Sequence, residues 1–370
     1  MTGACDACLR RGYLVGRLAA RIAAMLDRPG KRVGALLSLP EEELVEAVAD
    51  RSAGDPAALL RGFEAARARA EMADRQVRAL CRHDGRYPPQ LLQLQDAPAV
   101  LFVSGAGDLG LLAHDSSVAV VGTRRPSPYG REVAQDLGRG LGAAGVPVVS
   151  GLALGIDAEV HRGCLAADGL AVAVLACGPD VAYPRTNRRL YERVREHGLV
   201  VSELPPGQRP YRWSFPARNR IMAGLARITV VVEAADPSGS LITTQFATQL
   251  GRAVGAVPGQ VTSRVAAGTN NLLKDGAAVV TGPEDLLDEL FGSQSDEGRA
   301  ARTRAAAGAI DDPVQLRLLE AVEASLGIDG ICAHAGVPVR EARAGLSRLE
   351  RSGHVRRDPL GGYRRTAVPC

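Results

Sequence analysis

Two glycine turns carry the first chemical signal in this sequence. Val118 to Val121 is a short β-branched run that stops at Gly122 and continues into Thr123 and Arg124, and Val146 to Ser150 is a second run that stops at Gly151. A strand that ends in a glycine turn and feeds a helix aims that helix's unpaired N–H groups, and its partial positive charge, at the space above the turn. Ser127 offers a cap oxygen for the first helix and Pro128 its first residue, and Asp157 is expected to cap the second. Two such turns side by side suit two phosphates. Arg124, on the lip of the first, can fork one of them with two parallel hydrogen bonds.

The catalytic alternatives are weaker. Gly122-Thr-Arg-Arg-Pro is not G-x-G-x-x-G, and the second strand ends in Ser150 where a ribose-binding carboxylate would be wanted, which argues against NAD. No G-x-x-x-x-G-K-[ST] occurs, so a P-loop ATPase is not expected. Ser150, Asp157 and His161 have the residue types of a triad without a G-x-S-x-G elbow to present the serine. Asp157 and His161, four apart on one helix face, read as a structural pair or cap. Glu233 ends a strand with no second carboxylate placed to work with it, and reads as an acceptor for a neighbouring loop. Cys5-x-x-Cys8 has no second pair nearby at metal-ligand spacing. No catalytic residue, cofactor or metal is therefore expected.

Charge and aromatic placement favour nucleic acid. From Asp180 to Arg227 ten arginines face four acids, a surplus of six, which exceeds the +4 of the whole chain. Five of the chain's aromatics, Tyr183, Tyr191, Tyr211, Trp213 and Phe215, fall in that segment. Cations for phosphates and flat faces for unpaired bases are what a single strand needs. Phe215 and Tyr191 read equally well as core residues. Tyr183, Trp213, Arg185 and Arg218 lie in turns beside Pro184, Ser214 and Pro216, where core packing is less expected. Only Lys31 and Lys274 are lysines, so the chain favours arginine throughout and each single arginine weighs less.

Such groups need elements to hold them. Further apolar runs read as strands at Ala171 to Ala176, Leu199 to Ser202, Ile228 to Glu233, Ala253 to Val257 and Ala277 to Val280, separated by helical stretches. Strands alternating with helices predict an α/β fold with a doubly wound, mostly parallel sheet. Ligands in such sheets bind beyond the strands' C-terminal ends, and GTRRPS, SGLALGID, CGPDVAYPRTN, SELPPG, FPARNR and EAADPSGS all lie there. At 370 residues the chain is too long for one ordinary core. Residues 1–98 read as an N-terminal all-helical domain, with a helix from Asp55-Pro56 running through Ala65 to Leu80. The core spans 99–291 and opens with a strand at Val100 to Val103. Residues 292–309 read as a polar linker. Residues 310–370 have the order of a winged helix, with Arg340, Arg343, Arg348 and Arg351 on its third helix. No apolar run reaches the ~18 residues of a membrane helix and no signal-peptide h-region precedes the first charges, so a cytoplasmic protein is expected.

Taken in order, VVGTRRPSPYG, SGLALGIDAEVH, CGPDVAYPRTN, SELPPG, FPARNRIMAGL, VVVEAADPSGSLIT and VPG resemble the DNA processing protein A family (DprA, also called Smf), over about Tyr87 to Leu290. The resemblance implies a Rossmann-like core that dimerises, an N-terminal helical (SAM-like) domain and a C-terminal winged helix. It implies binding of single-stranded DNA without sequence preference and loading of the RecA recombinase onto incoming DNA during natural transformation. The family's basic pocket maps onto Arg124 and Arg185, with Arg218 and Arg220 in the same region. The expected nucleic-acid-binding set is Gly122, Thr123, Arg124, Ser150, Gly151, Tyr183, Arg185, Asn187, Trp213, Phe215, Arg218, Asn219, Arg220, Ser238, Gly239 and Ser240, with Asn270 to Val279 as the dimer contact. The sequence departs from the family at Val160 and Gly163-Cys164, where alanines usually flank the histidine.

Two rival readings remain. Phosphoribohydrolases of the same superfamily carry a P-G-G-x-G-T turn followed by a catalytic Glu, but Asp236-Pro-Ser-Gly-Ser-Leu-Ile-Thr-Thr-Gln has no Glu. A transcription regulator using the winged helix on duplex DNA would leave the basic segment unexplained.

Overall fold

The computed structural model describes residues 3–26, 33–48, 62–292, 295, 297–298, 300–301, 312–351, 355–358 and 362–365. Its centre is a nine-stranded sheet. In chain order the strands are β1 (Arg78–Cys81), β2 (Val100–Ser104), β3 (Val118–Val121), β4 (Val148–Ser150), β5 (Ala171–Val174), β6 (Leu199–Ser202), β7 (Ile228–Val231), β8 (Ala253–Ala256) and β9 (Ala278–Val279). Across the sheet they run β1-β2-β6-β5-β4-β3-β7-β8-β9. From β6 to β9 every neighbouring pair is parallel, whereas β1 pairs antiparallel with β2 and β2 with β6. The chain winds outward from β3 through β4 and β5 on one side and from β7 through β8 on the other. The switch point of this doubly wound, Rossmann-like sheet therefore falls between β3 and β7, and the crevice beyond their C-terminal ends is where such sheets bind ligands.

Because alternate residues of a strand point to opposite faces, each apolar run feeds two cores. Val118 and Val120 pack on one side with Leu137, Leu141, Ile156 and Val194, and Ala119 and Val121 on the other with Ile221, Met222 and Leu225. Among the described residues four α-helices precede the parallel strands: α1 (Asp6–Leu26), α2 (Val33–Leu37), α3 (Glu41–Val48) and α4 (Ala65–Asp74). Covering the sheet are α5 (Pro128–Ala143), α6 (Ile156–Ala166), α7 (Arg188–His197), α8 (Ser214–Leu225), α9 (Leu241–Gln249), α10 (Ala267–Lys274) and α11 (Pro283–Phe291). Backbone contact fixes α5 against α6. A Cβ on Gly138 would strike the Val160 carbonyl, and one on Gly163 the backbone of Gln135. The glycine at 163 is thus required by this packing.

The N-terminal reading needs correction. Residues 78–81 are not helical but form β1, paired to β2 along Arg78–Val103 to Cys81–Val100. Val100–Ser104 is accordingly the second strand of the sheet, not the first, and it is antiparallel. The helices before it share cores with the rest of the chain: Leu14, Leu18, Ile22 and Leu44 pack with Leu204, Trp213 and Ala217, and Cys8 and Leu9 with Val100 and Phe102 of β2. Residue 98 is therefore not a packing boundary. The expected helix start at Asp55-Pro56 and most of the expected linker lie outside the described residues.

C-terminal to these, α12 (Pro313–Glu323), α13 (Ile328–Ala335) and α14 (Val339–Arg351) precede an antiparallel pair, β10 (Val355–Arg357) and β11 (Tyr363–Arg365). They enclose a core of their own built on Leu318, Val322, Ile331, Leu346 and Leu349. Arg340, Arg343 and Arg348 are exposed on α14. No described helix is long and apolar enough to cross a membrane.

Candidate nucleic-acid interface

The two glycine turns meet at the switch point, but the protein's own carboxylates occupy their N–H groups. Ser127 caps α5 as its sequence predicts, its Oγ accepting from the Gly130 N–H at 3.1 Å. That hydroxyl donates to Glu233 Oε1 at 2.5 Å, and the Ser127 N–H donates to Glu233 Oε2 at 2.8 Å. Glu233 is buried and answers the positive end of α5 with an internal negative charge, as a loop acceptor. In the second turn Gly155, not Asp157, is the N-cap, with φ +80° that favours glycine. Asp157 instead receives the N–H groups of Gly151 at 3.2 Å and Ala153 at 3.4 Å. The expected pair of open phosphate holes is therefore corrected: an anion must be held by side chains on the rim.

Arg218 stiffens this floor. Its guanidinium donates to the carbonyls of Gly151 and, at 2.8 Å, Val174, and lies 3.8 Å from Asp157. Burial pushes Asp157 up and Arg218 down, and their mutual attraction opposes both shifts. A Cβ on Gly151 would overlap the guanidinium and force it off its carbonyls. Only about 8 % of Arg218 is exposed, so it works through the turn it holds and through the ring above it.

That ring is Phe215, half-buried at the start of α8. Arg124 lies over it at 5.4 Å and Arg218 at 5.8 Å from the centroid, and Tyr183 meets it at 5.7 Å with a 55° tilt. Arg124 is exposed and Tyr183 is 39 % exposed. Arg185, two residues past Tyr183, is exposed on the same loop. The structure thus gathers Arg124, Tyr183, Phe215 and Arg218 from three separate sequence motifs. One residue past Arg218 on α8, Asn219 donates to the Gly239 carbonyl at 3.3 Å, and the hydroxyls of Ser238 and Ser240 are paired at 2.8 Å.

Other expected contacts face inward. Ser150 is fully buried and its hydroxyl donates to the Val120 carbonyl at 2.7 Å, tying β4 to β3 and removing the only serine of the suggested triad. His161 is fully buried, and burial lowers its imidazole to about 3. Asn187 is buried with its amide on the Leu152 and Ala153 carbonyls at 3.0 and 3.2 Å, so it shapes the second turn from below. Gly122 admits Ile156 and the Glu233 carbonyl close to the backbone, and the Thr123 N–H donates to that carbonyl at 2.7 Å. Two residues leave the interface altogether. Trp213 is buried, with its indole N–H on the Ala19 carbonyl of α1 at 2.9 Å. Arg220 is 1 % exposed and held by Asp96 at 2.7 Å and by both oxygens of Glu203 at 2.8 Å. Tyr191 is likewise core, its hydroxyl on the Pro179 carbonyl.

Two rim residues were not singled out from the sequence. Arg125 is exposed beside Arg124, signalled only by the arginine doublet. Leu154, at the tip of the second turn, is 43 % exposed, and its apolar type gave no cue.

A family model described as DNA recombination-mediator protein A matches residues 78–291. A Mycobacterium tuberculosis relative bearing the DprA name is 45% identical over 210 residues, which are 55% of this chain and 54% of that protein. The chain thus spans about half the length of the first curated relatives it matches. Protein Smf of Escherichia coli is 38% identical over 288 residues, 77% of this chain and 76% of its own. Among solved structures, DNA processing protein A of Streptococcus pneumoniae superposes with a TM-score of 0.60 at 33% identity, covering 76% of this chain and 96% of that one. A structure of the Helicobacter pylori protein, described for its single-stranded DNA binding mode, superposes at 0.53 and 29% identity, covering 58% and 95%.

Proposed function

The chain belongs to the DNA recombination-mediator protein A family, and from that premise we propose that it is a non-enzymatic protein that binds single-stranded DNA and delivers it to the RecA recombinase in the cytoplasm during natural transformation or recombination. One observation carries this reading: an exposed guanidinium, Arg124, lies over the Phe215 ring beside the exposed Tyr183 at the crest of the sheet. Phosphates run along Arg124, Arg125 and Arg185, and bases stack against Tyr183 and the open part of Phe215. Glu233 and Asp157 line the floor beneath and hold the strand at the rim. Gly151, Arg218, Asn187, Asn219 and the Ser238–Ser240 turn shape that rim, and Arg220, Trp213 and Ser150 stabilise the fold below it. The single-strand binding described for the Helicobacter pylori relative supports the ligand class.

Such contacts read charge and ring faces, not base edges, so binding is indifferent to sequence. A second copy docks through Asn270 to Val279, where β9 ends the sheet and Val279 is 57 % exposed. The C-terminal three helices and hairpin act as a winged helix that adds Arg340 and Arg343 to nucleic-acid contact.

The test is fluorescence anisotropy with single- and double-stranded oligonucleotides, repeated with purified recombinase. With about four to six phosphates neutralised, log affinity falls against log salt with a slope of roughly −3 to −4. A slope near zero, or a preference for duplex that survives truncation at residue 291, overturns the reading.

A further inference from the structure

Far along the chain from the crest, the fold brings together four side chains that the function above does not use. The geometry points to a structural zinc site made of Cys5, Cys8, Cys81 and His83, at the start of α1 and the end of β1. One ligand atom from each lies within 4.8 Å of all the others. His83 Nδ1 stands 3.5 Å from Cys5 Sγ, 3.5 Å from Cys8 Sγ and 3.9 Å from Cys81 Sγ. A tetrahedron with zinc–sulfur bonds of about 2.3 Å and zinc–nitrogen bonds of about 2.0–2.1 Å has sulfur–nitrogen edges of roughly 3.6 Å. The observed edges match it.

The donor set names the metal. Three thiols and one imidazole form a soft, four-cornered site with no carboxylate, which suits zinc and not calcium or magnesium. All four corners come from protein, so no position is open for substrate and the site is closed. Outer contacts hold the ligands in place: the Cys5 N–H donates to Cys81 Sγ at 3.4 Å, Arg69 donates to the Ala4 carbonyl at 2.9 Å, and the Gly3 N–H donates to Asp84 at 3.2 Å. The remaining described cysteines have no comparable company among the described residues.

Chain spacing hid the site. Cys5-x-x-Cys8 lacks a partner pair nearby, and the second pair, Cys81-x-His83, is carried in by β1, which the sequence suggested was helix. The ion would join α1 to the sheet's edge strand over a core that includes Leu9, Met72, Val77, Val100 and Phe102.

The test uses the full chain, expressed without a histidine tag and analysed by plasma mass spectrometry. About one zinc per chain is expected, and cobalt substitution gives thiolate-to-metal charge-transfer bands with the intense visible bands of a tetrahedral site. His83 is exposed, so His83→Ala removes a ligand without opening the core. Against a competing chelator it retains zinc at least ~10-fold more weakly. His83→Cys restores four ligands, holds zinc again, and shifts the cobalt spectrum toward four thiolates. Wild-type protein holding less than about one zinc per ten chains after reconstitution, or a disulfide among Cys5, Cys8 and Cys81 under reducing preparation, overturns the assignment.

Discussion

Replacing Arg220 by methionine separates the arginines that hold this protein together from those that face its ligand. Arg220 is 1 % exposed, and its guanidinium lies between Asp96 and Glu203, whose side chains are themselves only 11 % and 15 % exposed. Arg220→Met keeps most of the volume and leaves two carboxylates without their cation. Removing one partner of a buried pair costs about 3–5 kcal/mol. For a unit of this size each kcal/mol lowers the melting midpoint by roughly 2–4 °C, so the sheet's transition drops by roughly 6–20 °C. The loss depends on pH. Burial raises Glu203, and Arg220 is the chief group opposing that rise. Without it the folded-state value climbs further above the unfolded one, so the folded variant takes up a proton more readily than the unfolded chain. The deficit is then largest at neutral pH and shrinks as pH falls. Circular dichroism melts at neutral and mildly acidic pH measure it, alongside oligonucleotide anisotropy on the folded variant at low temperature. An unchanged midpoint together with a smaller salt slope for DNA would refute the placement of Arg220 as a purely internal group.

Arg124→Ala should have the complementary phenotype: a melting midpoint within a degree or two of wild type, a salt slope smaller by about 1, and weakening that is similar for all sequences. Strong dependence on base identity in anisotropy titrations would contradict it. Gly151→Ala displaces the Arg218 guanidinium from its carbonyls and leaves Asp157 without its nearest cation, so we expect a loss of about 3 kcal/mol or more in denaturant titrations together with weaker DNA binding. His161 gives a pH signature: burial holds it at about 3 against an ordinary 6.5, so the unfolded chain binds a proton the folded one refuses. Stability is therefore complete above the unfolded value and falls by about 1.4 kcal/mol per pH unit as pH drops toward 3, and His161→Gln should flatten that limb of the urea-midpoint profile. Finally, incubation with nucleoside monophosphates should release no free base by chromatography, since the turn at 236–240 leads into α9 without a glutamate.

The alternation of apolar runs with helical stretches was enough to determine a doubly wound sheet, because parallel strands are buried on both faces and leave continuous Val-rich segments in the chain. The same logic placed GTRRPS, SGLALGID and FPARNR at strand C-terminal ends, and Ser127 before Pro128 marked a helix cap, but Phe215 read equally well as core and only the fold set it under Arg124. Residue type alone could not tell which arginines reach solvent. Arg218, Arg220 and Trp213 stand in one basic, aromatic segment with Arg185 and Tyr183, yet helix α8 turns Arg220 toward Asp96 and Glu203 and the Trp213 loop meets α1. Asp96 and the Ala19 carbonyl lie 124 and 194 residues away in sequence. Nor could it show that Glu233, just past β7, fills the start of α5, or that Asp157, in the first turn of α6, takes the N–H groups of the glycine turn before it, since both depend on how separate segments meet. The edge strand β1 was invisible for a related reason: four residues without alternation become a strand only when β2 supplies the hydrogen bonds. That pairing also carries Cys81 and His83 to Cys5 and Cys8. Local pattern, repeated over many residues, survives in the sequence; burial, charge pairing and ligand convergence are properties of contacts between distant segments, and only the folded chain decides them.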